Sequence, residues 1–147
     1  MIQSAKEKHL EEIFKIEKMV FQKPWSKEQL ENDIVFSANS ENWVYLKNHK
    51  VVGYILGWKI KDEYHLNNIA VHTNFQRKHI GQSLIEHIIR YFKNQDVNRI
   101  YLEVSWENIP AQKLYNSLNF NQEGMRMDYY DKGDHALLYY MDLVTNG

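Results

Sequence analysis

The chain has 147 residues, enough for a single domain (1–147) with a substantial core, and it sets 18 basic against 19 acidic side chains. A net charge of −1 offers no global field for nucleic acid or an anionic membrane, and the lack of cysteine excludes thiolate catalysis and disulfides. No apolar run approaches the ~20 residues of a membrane span, and MIQSAKEKHLEE is charged where a secretory signal is apolar, so the expected location is the cytoplasm.

Leu10, Ile13, Phe14 and Val20 mark an amphipathic first helix, followed by a loop from Phe21 to Trp25. Ser26-Lys27-Glu28-Gln29 is a capping box, with Trp25 and Leu30 placed to staple the start of a second helix. Trp43 to Leu46 and Val51 to Ile60 read as strands around Asn48-His49-Lys50, and Asp62-Glu63 turns the chain into a strand from Tyr64 to Val71. From Gly81 the apolar residues Leu84, Ile85, Ile88, Ile89 and Phe92 fall on one helical face. Arg99 to Ser105 alternates, with Ile100, Leu102 and Val104 on one side and Tyr101, Glu103 and Ser105 on the other. Asn108 is an N-cap with Pro110 just behind it, opening a helix through Leu114 and Leu118. Two further strands follow Phe120, joined near Asp131-Lys132-Gly133-Asp134. Strands before, between and after helices make this a mixed α+β sheet protein.

Between the Tyr64–Val71 strand and the helix from Gly81 lies Gln76-Arg77-Lys78-His79-Ile80-Gly81. It brings two cations and unpaired backbone N–H groups to a helix N-terminus, a setting that attracts phosphate. A Walker loop would need Gly-Lys-Ser/Thr, and a dinucleotide fingerprint would need three spaced glycines; neither is present. The seven histidines show no HxH or HExxH spacing, so no metal is expected.

QRKHIG resembles the Q/R-x-x-G-x-G/A loop of the Gcn5-related N-acetyltransferases (GNAT), matching at Gln76 and Gly81 with His79 in place of the first glycine. The flanking order is similar to the RimI-type ribosomal-protein-alanine N-acetyltransferases, from Phe21-x-x-Pro24-Trp25-Ser26 through NIAV, LEV, Asn108, Leu114-Tyr115 and Leu118-Asn119-Phe120 to Tyr129-Tyr130. The likeness runs from about Phe21 to Leu143. Departures are His79 and Asn119 for glycine, and Ser105-Trp106-Glu107 before Asn108, where the family usually has an arginine and a serine. His and Asn both tolerate the left-handed region, so the two glycine losses are expected to preserve shape.

The resemblance implies a mostly antiparallel central sheet flanked by helices, and acetyl-coenzyme A (acetyl-CoA) as cosubstrate with no metal. It implies that Ile69, Ala70 and Val71 pair with the pantetheine arm, that Arg77, Lys78, His79, Ile80, Gly81 and Gln82 take the pyrophosphate, and that Asn108 contacts the cofactor. Glu103 would be the proton acceptor and Tyr115 the donor to the leaving sulfur, with Phe21, Trp25, Tyr129 and Tyr130 lining the acceptor groove. The residues alone permit plainer roles: Glu103 as a solvent-facing carboxylate, Tyr115 as helix core, Asn108 as a cap and the aromatics as packing. An apolar setting would raise the Glu103 pKa and improve it as a base.

The implied acceptor is a protein N-terminus, the alanine of a small-subunit ribosomal protein, handled by a monomer as the default. An α-amine loses its proton at pH 7 for about 1.4 kcal/mol and a lysine for about 4.6, which suits a single carboxylate base to the former. A small amine or lysine side chain as acceptor, or a non-catalytic acyl-CoA-binding module suggested by His79, stay open.

Overall fold

The computed structural model describes residues 1–143. Its strands are β1 (Ile2–Ser4), β2 (Trp43–Lys47), β3 (Lys50–Ile60), β4 (Glu63–Val71), β5 (Arg99–Ser105), β6 (Asn121–Asp131) and β7 (Asp134–Asp142). Its helices are α1 (Leu10–Val20), α2 (Lys27–Glu31, continued by a wider turn at Asn32–Phe36), α3 (Ile80–Lys93) and α4 (Ile109–Ser117). The sheet order is β1-β2-β3-β4-β5-β7-β6, antiparallel throughout except for the β4–β5 pair. The mostly antiparallel sheet flanked by helices is the expected architecture. Residues 144–147 of the expected domain lie outside the described residues. Among those described, no helix is long and apolar enough to cross a membrane.

Two apolar layers hold the sheet. On one face Leu10, Ile13 and Ile16 of α1 and Leu30 of α2 close over Val44, Tyr54, Leu56 and Ala70. On the other, Leu84, Ile85, Ile88 and Phe92 of α3 cover Trp43, Ile55, Tyr64, Ile100 and Leu102, and Tyr115 of α4 extends that layer. The helix starts follow local chemistry. Ser26 Oγ accepts from Gln29 N–H at 3.1 Å while Ser26 N–H donates to Gln29 Oε1 at 2.8 Å, and Trp25 and Leu30 share the α1 cluster. Two glycines set close approaches. A Cβ at Gly57 would meet the Tyr64 hydroxyl at 2.2 Å, and one at Gly53 would meet Ile80 Cγ2 at 3.1 Å, which brings the start of α3 down onto the sheet.

One element escaped the sequence reading. β1 is three residues long and pairs with β2 from Ile2↔Tyr45 to Ser4↔Trp43, with the terminal ammonium donating to Leu46 O at 3.0 Å. Three residues are too few to show alternation.

Candidate active site

β4 and β5 run side by side only from Glu63↔Arg99 to Leu66↔Leu102. Beyond that, Asn68–Val71 stay with β3 and Glu103–Ser105 stay with β7, so the two strands part and leave facing backbone edges without a strand partner. Unpaired peptide groups in mid-sheet call for water or a ligand that can pair with them. The parting begins at a bulge: Leu56 pairs with Asn68 and Gly57 with Leu66, leaving Asn67 as the extra residue. The bulge reverses the alternation of β4. Tyr64 and Leu66 lie in the α3 layer, whereas Ala70 lies in the α1 layer and Ile69 and Val71 lean toward α3. The side-chain nitrogen of Asn67 is buried there without a hydrogen-bond partner, in a residue that forms part of the cleft wall.

At the end of β4 the loop is held by Gln76, whose side-chain amide donates to Val71 O at 3.1 Å. Arg77 and His79 both take left-handed conformations, with φ of 64° and 62°. Turns that contain left-handed residues can set successive backbone N–H groups around an anion. His79 is the N-cap of α3 but supplies no side-chain cap, so the first helical N–H groups remain open to a ligand. Ile80 is buried beneath this end, Lys78 Nζ stands 5.4 Å from the Phe75 ring, and a Cβ on Gly81 would find only Val71 Cγ2, at 3.8 Å. The expected shape survives the loss of glycine.

Glu103 lies where β5 leaves β4, paired across the sheet with Leu138 and with its side chain 31 % exposed. Its setting is polar rather than apolar. Arg126 Nη1 is 3.6 Å from Oε1, and a hydrogen bond to Glu103, followed by partial burial, pushes the Tyr129 phenol up. Tyr130 is pushed up to about 12, by burial first and then by the charge of Glu103. Both tyrosines reach this place through an irregular stretch of β6: between Arg126 and Asp131 the register with β7 breaks. Asp128 anchors the break with φ 54°, its N–H donating to His135 Nδ1 at 2.8 Å and its Oδ1 accepting from Gly133 N–H at 2.6 Å.

Trp25, Asn67, Glu103, Tyr129 and Tyr130 line one cleft of about 870 Å³, together with Arg126 and a stacked His65–Tyr101 pair. Phe21 is not on that wall; it packs into the α1 layer and anchors the loop from behind. Nothing local in the sequence marks Asn67 or Arg126, because a bulge and a cross-strand neighbour both depend on distant pairing.

Tyr115 is 4 % exposed, between the rings of Phe120 at 5.7 Å and Tyr139 at 6.1 Å. Burial, then the neighbouring Tyr130, raises its pKa and keeps the phenol protonated. By packing it is a core residue, and it is not among the residues that line the cleft. Asn108 caps α4, its Oδ1 accepting from Ala111 N–H at 3.2 Å. α4 ends in a Schellman turn, with Phe120 N–H donating to Tyr115 O and Asn119 N–H to Asn116 O. Asn119 occupies the usual glycine position at φ 70°.

Comparison with known proteins agrees with this geometry. Residues 10–120 match the Acetyltransferase (GNAT) family. The [ribosomal protein bS18]-alanine N-acetyltransferase of Haemophilus ducreyi is 31% identical over 134 residues, covering 91% of each chain. The crystal structure of the ribosomal-protein-S18-alanine N-acetyltransferase from Escherichia coli superposes with a TM-score of 0.93 at 29% identity, covering 100% of this chain and 96% of that one. Arabidopsis thaliana NAA60 in complex with acetyl-CoA shares the fold, at a TM-score of 0.84, 16% identity and 100% and 99% coverage. By fold, by the loop at the head of α3 and by these likenesses, the chain belongs to the GNAT family of acetyltransferases.

Proposed function

We propose that this protein transfers an acetyl group from acetyl-CoA to the N-terminal α-amine of a protein, the alanine of a bS18-type ribosomal protein, in the cytoplasm. The parting of β4 from β5 carries the reading, because it leaves a strand-shaped slot between a phosphate-suited helix end and a carboxylate. The chain's residues fit the cosubstrate: Ile69, Ala70 and Val71 offer the free edge of β4, and Arg77 through Gln82 offer backbone donors with two cations. When bound, acetyl-CoA supplies a thioester-activated acetyl group.

The remaining chemistry belongs to side chains. Glu103, on the cleft wall, accepts the proton of the incoming ammonium, directly or through a water. Tyr115 holds a proton that it can share with a leaving sulfur. Even an ordinary phenol near pKa 10 is a weaker acid than a thiol near 8.5, and burial raises this one further, so hydrogen bonding outweighs full transfer. Trp25, Tyr129 and Tyr130 wall the acceptor's path, and Asn67 and Arg126 add polar contacts there. The acceptor assignment draws on the 31% identical relative named for bS18 alanine.

The test is incubation with acetyl-CoA and a panel of peptides, lysines and polyamines, with mass spectrometry locating the acetyl group. Acetylation of alanine N-termini is expected. Modification confined to internal lysines or free polyamines would defeat the assignment, and no coenzyme A binding by calorimetry at millimolar concentration would defeat the enzyme reading itself.

A further inference from the structure

Glu17 lies within α1, is 1 % exposed and has no part in the chemistry described above. Its carboxylate takes donors from three separate elements. Oε1 accepts from the Tyr54 hydroxyl of β3 at 2.6 Å and from the Asn68 side-chain amide of β4 at 2.7 Å. Oε2 accepts from the Trp25 backbone N–H at 2.9 Å. Asn68 directly follows the Asn67 bulge, and Trp25 lines the acceptor cleft. Between α1 and α2 the chain has no helix or strand of its own, so this bond is a main tether of the loop. Burying a carboxylate is costly, and apolar residues would fill the same space with less penalty if packing were all that the position needed.

We infer that Glu17 is a positioning residue for the acceptor: it fixes the Phe21–Trp25 loop against β4, so that the cleft beside Glu103 is formed before the peptide arrives. The inference rests on the acetyl-transfer reading above. What the position needs is an oxygen for the Trp25 N–H. The Tyr54 hydroxyl can turn to accept and the Asn68 amide can flip, but a backbone N–H can only donate. Glutamine therefore serves, with its oxygen on Trp25 and its amide toward Tyr54 and Asn68. Methionine, similar in length, does not.

The experiment compares Glu17→Gln, Glu17→Met and Tyr54→Phe in the full chain. It uses acetyl-CoA and a short alanine-first peptide as substrates, and hydrogen exchange at the Trp25 amide as a second readout. Glu17→Met should raise the peptide KM roughly tenfold, leave the acetyl-CoA KM within a factor of about two and strip protection from the Trp25 amide. Glu17→Gln should restore most of both, and Tyr54→Phe should keep the Trp25 amide protected. A folded Glu17→Met with unchanged peptide KM, an equal loss for both substrates, or a Glu17→Gln as impaired as Glu17→Met would overturn the inference. Should Glu17→Met not fold, the amide decides: protection in the unaltered protein and in Glu17→Gln supports the tether, and fast exchange in either refutes it. If the unaltered protein acetylates no peptide, the functional reading fails instead, because the exchange readout needs no substrate.

Discussion

The two sides of the slot are built from different materials. On the side proposed for the cosubstrate, backbone does the work: the free edge of β4, and a helix end whose shape is set by two left-handed residues, Arg77 and His79. On the acceptor side, side chains do it: Glu103, Arg126, Tyr129 and Tyr130 converge from β5 and β6, and Trp25 comes from the loop between α1 and α2, far earlier in the chain. A backbone site tolerates a change of residue that keeps φ. A side-chain site tolerates little, since each group has its own chemistry and its place depends on sheet register.

The sharpest way to break the acceptor side is to remove its proton chemistry. Glu103→Gln and Tyr115→Phe should each lower kcat by roughly 10²–10⁴-fold, the usual worth of general acid–base catalysis, with coenzyme A affinity little changed. Steady-state kinetics and calorimetry separate the two effects. Near-normal turnover in both folded variants would return Glu103 to an ion pair with Arg126, and Tyr115 to the core between Phe120 and Tyr139.

The cosubstrate side should break through its backbone. His79→Val places a β-branched residue at φ 62°, which costs about one to three kcal/mol of strain. Coenzyme A affinity should therefore fall by roughly five- to 150-fold in calorimetry, at about 1.4 kcal/mol per tenfold. Unchanged affinity would mean that the loop conformation is not what the ligand reads.

This contrast also governs what the sequence made legible. The capping box at Ser26, the Asn108 cap and the left-handed tolerance of His79 and Asn119 are local chemistry, and each appears in the structure as expected. Glu103 and Tyr115 were singled out through family pattern alone, and the polar setting of Glu103 was not legible, because Arg126 reaches it from β6. The Asn67 bulge, the register break between Arg126 and Asp131, and the Glu17 tether to Asn68 across 51 residues depend on which strands pair. No window of sequence contains that pairing.

A smaller effect probes the aromatic wall through pH. Tyr54, Tyr64, Tyr115 and Tyr130 all have raised pKa values, burial being the first cause in each. Below pH 10 the folded and unfolded chains both keep these phenols protonated, so the full stability is present. Above it the unfolded chain ionises first, and stability should decline as pH rises from 10 toward about 12, where Tyr130 titrates in the fold. Thermal melts across that range should show a falling Tm, with a shallower fall in Tyr130→Phe. A flat Tm to pH 12 would mean that these hydroxyls are open to solvent.

The smallest expected effect is the most discriminating about the histidine itself. If the loop works by conformation alone, His79→Gly keeps the left-handed turn at no steric cost and removes only the imidazole. Coenzyme A affinity should then stay within a few-fold of the unaltered protein or improve, the improvement coming from space freed at the helix end. Glycine also frees the unfolded chain, so a loss of up to about 1 kcal/mol in stability is expected alongside, and a denaturant melt reads it separately from binding. A drop in affinity beyond roughly tenfold, with stability changed no more than that, would make the imidazole a ligand for the pyrophosphate. The site proposed for the cosubstrate would then depend on a side chain as the acceptor cleft does, and the contrast between the two sides would fail at this residue.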